Sequence, residues 1–190
     1  LRITLSEEEG WSKLNNGKVA ASVTTADVLA VLGRQFDIVV PAQMAFSRGA
    51  NMIVVDSGVT GINALRGKVL AGTQFNESEF FLRYLASESG ASVNVLRDLD
   101  AAPRADAINL VFYDDATVAC EAYAEQLQAS RPRLNGCIGW SPSTDATIAG
   151  SGGRAKMLVS NRNLLVIADL LLVNGEFARV NADKVQALVH

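Results

Sequence analysis

Two apolar, strand-like runs stand far apart in this chain and bracket a self-contained block. Asn51–Asp56 (NMIVVD) comes first, and Ile167–Asn174 (IADLLLVN) follows much later. Between them strand-like and helix-like stretches alternate, the pattern of an α/β sheet with mostly parallel pairing. A strand that leaves one body, a compact α/β block and a strand that returns predict two lobes joined by a two-strand hinge. The expected division places residues 1–56 and 166–190 in the first lobe and 57–165 in the second. Chains of this kind hold small molecules where their lobes meet.

Local signals fill in the elements. Glu7–Leu14 reads as a short helix, with Ser6 as N-cap and Glu9 three residues on. Lys18–Val23 is a buried strand, and a helix opening at Thr24 runs through Leu32 to Gly33. Asp37–Ala42 is a strand, as is Lys68–Gly72. Asn76–Gly90 is the strongest helix, with Phe80, Phe81, Tyr84 and Leu85 within one face. Strands follow at Val93–Leu96 and Ala107–Phe112. A helix capped by Asp114 or Asp115 runs to about Ala129. Then come a strand at Cys137–Trp140, a helix at Ser143–Ala149 and a strand at Ala155–Ser160.

Several classes of function find no support. Net charge is −3 and Lys and Arg are scattered, so no basic stripe awaits nucleic acid. Aromatic residues make up 6%, too few for a base-stacking platform. The longest apolar run, Leu164–Val173, is broken by Asp169 and is too short to span a bilayer. The opening residues lack the basic-then-apolar pattern of a signal peptide. The sole histidine is His190, so neither a Ser-His-Asp set nor a zinc site can be assembled. Gly150–Gly153 lacks the Lys-Ser/Thr of a phosphate loop, and no dinucleotide fingerprint exists. No catalytic residue, metal or cofactor is therefore expected. Cys120 and Cys137 read either as small buried apolar groups or as a disulfide.

Four segments, in order, carry a family resemblance: SRGANMIVV from Ser47, LRGKV from Leu65, GWSP from Gly139 and IADLLLVN from Ile167. Together they resemble the solute-binding proteins of ABC transporters, of the nitrate/sulfonate/taurine type, which share a fold with the thiamine-pyrimidine-precursor proteins. The resemblance runs from about Trp11 to the end. It implies a type II periplasmic-binding-protein fold with the first lobe incomplete, because the family's N-terminal and C-terminal parts are lacking. It implies capture of a small polar molecule, an ABC permease as partner and an extracytoplasmic location. Membrane association would come only through the permease or through a lipid anchor not in this sequence. Such a compartment favours a Cys120–Cys137 bridge. Two other readings share the fold: a ligand-sensing regulatory module, and an enzyme related to pyrimidine-precursor synthases.

Ligands of open α/β sheets bind beyond the carboxyl ends of strands. Three loops occupy such places, and the resemblance assigns ligand contacts to the same three. Thr24, Thr25 and Asp27 face the cleft from the first lobe in this reading, though all three also suit a helix cap. Thr73 and Gln74 lie where the family holds a small polar head group, and Asn76 and Glu77 follow at the helix start, where Glu77 would serve an amine. Here Asn76 and Glu79 also form a capping box. Trp140 and Ser141 close a strand, and Ser141 stands where many family members carry an acid. Ser47 joins the set from the first quoted segment. Asp169 interrupts an apolar run, so it needs a partner such as Arg48 or an amine on the ligand. The excess of acids favours an amine-bearing, zwitterionic or neutral polar ligand over a simple inorganic anion. A sulfonate-like head group held by helix N-termini and hydroxyls is the opposing case.

Overall fold

The computed structural model describes residues 10–189, so the expected Ser6/Glu9 cap lies outside the described residues. The chain divides into two compact units, Leu1–Phe46 with Ile167–His190, and Ser47–Val166.

The first unit is built on three strands, β1 (Ala21–Thr25), β2 (Ile38–Phe46) and β9 (Ala168–Asn174), in the order β1-β9-β2. Its helices are α1 (Gly10–Asn15), α2 (Ala26–Leu32), α6 (Gly175–Val180) and α7 (Ala182–Val189). Both pairings are antiparallel. The direction follows from connectivity: β9 comes back from the second unit and so opposes β1 and β2. The centre of β9 carries the core, with Leu171, Leu172 and Val173 buried. Leu14 of α1 is buried, and its carbonyl accepts a hydrogen bond from Asn174 Nδ2 at 3.0 Å.

The second unit holds six strands in the order β5-β6-β4-β7-β3-β8. They are β3 (Asn51–Asp56), β4 (Val69–Gly72), β5 (Ser92–Val95), β6 (Ala107–Phe112), β7 (Gly136–Trp140) and β8 (Ala155–Ser160). β5, β6, β4 and β7 run parallel, as the alternating pattern predicts, and β3 opposes β7 and β8. The helices are α3 (Glu77–Glu88), α4 (Ala116–Gln126) and α5 (Ser143–Gly150). Strands β3, β4, β6 and β7 are buried almost throughout, because a sheet covered on both faces needs apolar groups at every position. Met52, Val54, Val69, Ala71, Val111 and Cys137 pack with Ala119, Cys120 and Tyr123 of α4. By strand alternation, Ile53, Val55, Leu70, Leu110 and Ile138 line the other face, and all are buried. Cys120 and Cys137 form a disulfide between α4 and β7, with Cα atoms 5.3 Å apart.

One expectation is corrected. Asn51–Asp56 was expected to be the outgoing hinge strand of the first lobe, beside the returning strand. It is instead β3, inside the sheet of the second unit between β7 and β8. The strand that pairs with β9 before the chain leaves the first unit is β2, with Phe46 opposite Ala168. An apolar hexamer buried on both faces stabilises the middle of a sheet better than a connection would. Among the described residues, no helix is long and apolar enough to cross a membrane.

Candidate ligand site

The structure sorts the candidate residues into two sets, one in each unit. In the first unit, Thr24 and Thr25 end β1, and Thr25 stands directly opposite Asp169 at the start of β9. The end of β2 arrives at the same edge, with Ala45 also opposite Asp169. Asp27 follows in the first turn of α2. Thr24, Thr25, Asp27 and Asp169 thus share one end of the three-stranded sheet, the end from which both connections to the second unit leave.

Asp27 is under strain of an electrostatic kind. Its Oδ1 is buried with no hydrogen-bond partner among the described residues. Burial pushes its carboxyl above the usual range, while the Thr25 hydroxyl pulls the other way. Asp169 is half-buried, and no ion pair or side-chain hydrogen bond engages it among the described residues. A groove lined by Val19, Ala20, Asn174 and Phe177 lies at the opposite end of this sheet and includes none of the candidates.

In the second unit the set forms at the carboxyl edge of the parallel strands. β4 and β7 are neighbours, with Leu70 beside Gly136 and Ala71 beside Cys137. Thr73–Glu77 leave the end of β4, and Trp140 ends β7. β3 begins at the same edge, with Asn51 opposite Trp140 and Ser141 N donating to Ala50 O at 3.0 Å. Ser47 therefore arrives there too. Its Oγ already accepts from Asn51 Nδ2 at 3.0 Å and Asn161 Nδ2 at 3.1 Å.

The N-terminus of α3 is heavily used by its own side chains. Asn76 is the N-cap, accepting at Oδ1 from Ser78 N at 3.1 Å and Glu79 N at 2.9 Å. Glu79 reaches back one residue further than a capping box requires, accepting from Phe75 N at 2.6 Å. Phe75 takes the left-handed conformation, φ 59°, as the chain turns into the helix. Glu77 and Glu79 place two acids in the first turn. This end of α3 is therefore poorly suited to a bare anion, which would need those N–H groups free. At β7, the acid missing from position 141 is replaced one turn later, where the Ser141 hydroxyl donates to Asp145.

Among the described residues, three side-chain atoms at this edge lie buried without a partner: Thr73 Oγ1, Asn76 Nδ2 and Thr144 Oγ1. Thr144 is fully buried in the first turn of α5, beside the end of β7. Leaving such a group unsatisfied costs about 1–3 kcal/mol, so each calls for an enclosed water or for a local shift that brings a polar partner to it. Sequence reasoning missed Thr144, because threonine inside a helix start is unremarkable until its burial is known. It also missed Asn51 and Asn161, whose signal was only that each is polar within or beside an apolar strand. Among the described residues, no group of His, Cys, Asp and Glu is arranged to hold a metal ion.

Comparison with solved structures identifies the fold. The periplasmic aliphatic sulphonate-binding protein SsuA of Escherichia coli matches with a TM-score of 0.71 at 16% identity, over 94% of this chain and 55% of that one. The alkanesulfonate-binding SsuA of Xanthomonas axonopodis pv. citri, bound to MOPS, matches at 0.66 and 18%, over 93% and 55%. The ligand-binding component of an ABC-type import system from Staphylococcus aureus matches at 0.58 and 15%, over 94% and 56%. The chain thus has the fold of two-lobed periplasmic binding proteins and spans just over half their length. No family model matches the sequence. No curated protein matches it either.

Proposed function

We propose that this chain is an extracytoplasmic solute-binding protein that captures a small polar molecule for delivery to an ABC permease. The first unit contributes Thr24, Thr25, Asp27 and Asp169, and the second contributes Thr73, Gln74, Asn76, Glu77, Trp140, Ser141 and Thr144. Ser47 acts from behind, with one hydroxyl proton left to donate. Binding works by population shift: the molecule stabilises whichever arrangement of these side chains it contacts best. The observation that carries the reading is the set of buried polar atoms near the strand ends that find no partner among the described residues, Asp27 Oδ1 in one unit and Thr73 Oγ1, Asn76 Nδ2 and Thr144 Oγ1 in the other. The buried disulfide supports an oxidising compartment.

The ligand class follows from charge. Asp27 and Asp169 lie at one sheet end, and Glu77 and Asp145 stand in first turns beside the other set, while Glu79 is already paired with Arg83 at 2.8 Å. An amine-bearing or neutral polar molecule suits these groups, and a zwitterion with a sulfonate, such as MOPS, adds acceptors for Thr73, Asn76 and Thr144. The test is native mass spectrometry of the purified chain for a retained molecule. Calorimetric titration with MOPS, taurine, a simple amine and sulfate follows. Binding of an amine or zwitterion is expected; binding of sulfate alone overturns the ligand preference, and binding of none of the four, with no retained molecule, overturns the reading.

A further inference from the structure

Asn161 is fully buried, yet every hydrogen-bonding position of its side chain is used, and all on one short segment. Its Nδ2 donates to Ser47 O at 2.9 Å and Ser47 Oγ at 3.1 Å. Its Oδ1 accepts from Gly49 N at 2.7 Å and Asn51 N at 3.2 Å. Asn51, 3% exposed, donates to Ser47 Oγ, and its Oδ1 accepts from Ser78 Oγ at 2.9 Å. Ser78, equally buried, is in the first turn of α3, next to the orphaned Asn76 amide. Gly49 has φ 92°, a conformation only glycine adopts freely, and packs against Arg162 beside Asn161.

The position of this cluster in the chain is its most telling property. Ser47 is the first residue of the second unit, reached directly from β2. Asn161–Asn163 form the last turn before the chain returns through Val166 to the first unit, with Leu164 N donating to Asn161 O at 3.1 Å. Both connections therefore leave the second unit from one hydrogen-bonded cluster, and a third arm of that cluster ends on the helix start that carries the candidate site. We infer that Ser78, Asn51 and Asn161 are positioning residues that couple the N-terminus of α3 to the two connections between the units. A buried polar network in which each member holds the next is stiff, because displacing one member leaves its partners without water to replace it. Displacing Ser78 draws on Asn51, and Asn51 shares Asn161 and Ser47 with the outgoing segment. The inference uses the proposed function only for what displaces α3, and its test needs no ligand.

The test is Ser78→Ala in the full chain, measured by amide hydrogen exchange and by an inter-unit distance. Exchange at Gly49 and Asn51, neither of which bonds Ser78 through its amide, should accelerate about fivefold, the size expected for one buried hydrogen bond. The amide of Ser57, which donates to Arg154 O at the far end of β3, should not change. Ser78→Thr, which keeps a hydroxyl, should restore the parent rates. Nitroxides at the exposed positions Ser87→Cys and Gln186→Cys report the inter-unit distance by pulsed electron resonance, since the buried, bridged cysteines do not label. The distribution should widen in Ser78→Ala. Unchanged exchange at Gly49 and Asn51, equal acceleration at Ser57, or a distribution no wider than the parent's overturns the coupling. Should Ser78→Ala fail to fold, Asn161→Asp removes the donations to Ser47, keeps the acceptor, and is measured in the same way. Failure here leaves the ligand titrations standing, so the two ideas fall separately.

Discussion

Reducing the Cys120–Cys137 disulfide should destabilise the second unit without unfolding it at room temperature. The bridge closes a loop with a sequence separation of 17. The loop-entropy relation for that length gives about 3 kcal/mol of stabilisation. Both sulfurs are in the core, with Cys120 1% and Cys137 0% exposed, so reduction leaves two small apolar thiols in place and opens no cavity. Reduction is therefore cleaner than substitution by alanine, which would add a packing penalty. Against a total stability of about 5–15 kcal/mol the loss is large yet survivable. The assay is guanidinium unfolding of oxidised protein against protein reduced while unfolded and refolded in reductant. With a slope of about 3 kcal/mol per molar, the midpoint should fall by about 1 M. The thermal midpoint should fall by about 10 °C. The native disulfide should resist reductant until the unit opens, because neither sulfur reaches solvent. A midpoint shift below about 0.3 M would refute the loop-closure reasoning, and two reactive thiols in denatured, unreduced protein would refute the bridge itself.

Asp27→Asn should remove a pH dependence. The folded carboxyl sits above 3.8 because of burial, so the folded state keeps a proton that the unfolded chain releases, and stability falls as pH rises through that window. Chemical melts from pH 3 upward should show this slope in the parent and a flatter one in the variant, together with weaker binding if an amine is held there. Asp169→Asn should weaken binding of an amine-bearing ligand severalfold in calorimetry and barely alter the melting curve; unchanged affinity removes Asp169 from the site. Asn76→Ala strips the acceptor from two backbone N–H groups of α3 and should cost about 1 kcal/mol in denaturant titration. Gly136→Ala drives a methyl group into the Val54 carbonyl and within 2.8 Å of Leu70 Cδ2, and should cost about 3 kcal/mol by the same measurement.

Much of the local structure was legible because it rests on interactions between near neighbours. The caps Asn76 and Asp115, the strands Ala107–Phe112 and Ala155–Ser160, and the start of α5 at Ser143 all stand where turn and cap chemistry places them. The mostly parallel sheet of the second unit followed from strand–helix alternation. The role of Asn51–Asp56 did not. A strand buried on both faces carries no alternation, so its sequence says that it is buried and not which sheet receives it. β2 was expected to stop at Ala42, yet it runs on to Phe46 because β9 supplies partners through Ala168, a pairing across more than a hundred residues. The candidate site divides along the same line. The loops after strands could be found from residue order, since cap residues and strand ends are local. Thr144, Asn51 and Asn161 became visible only with burial and partner geometry, because whether a polar group is satisfied depends on side chains that approach it from distant parts of the chain.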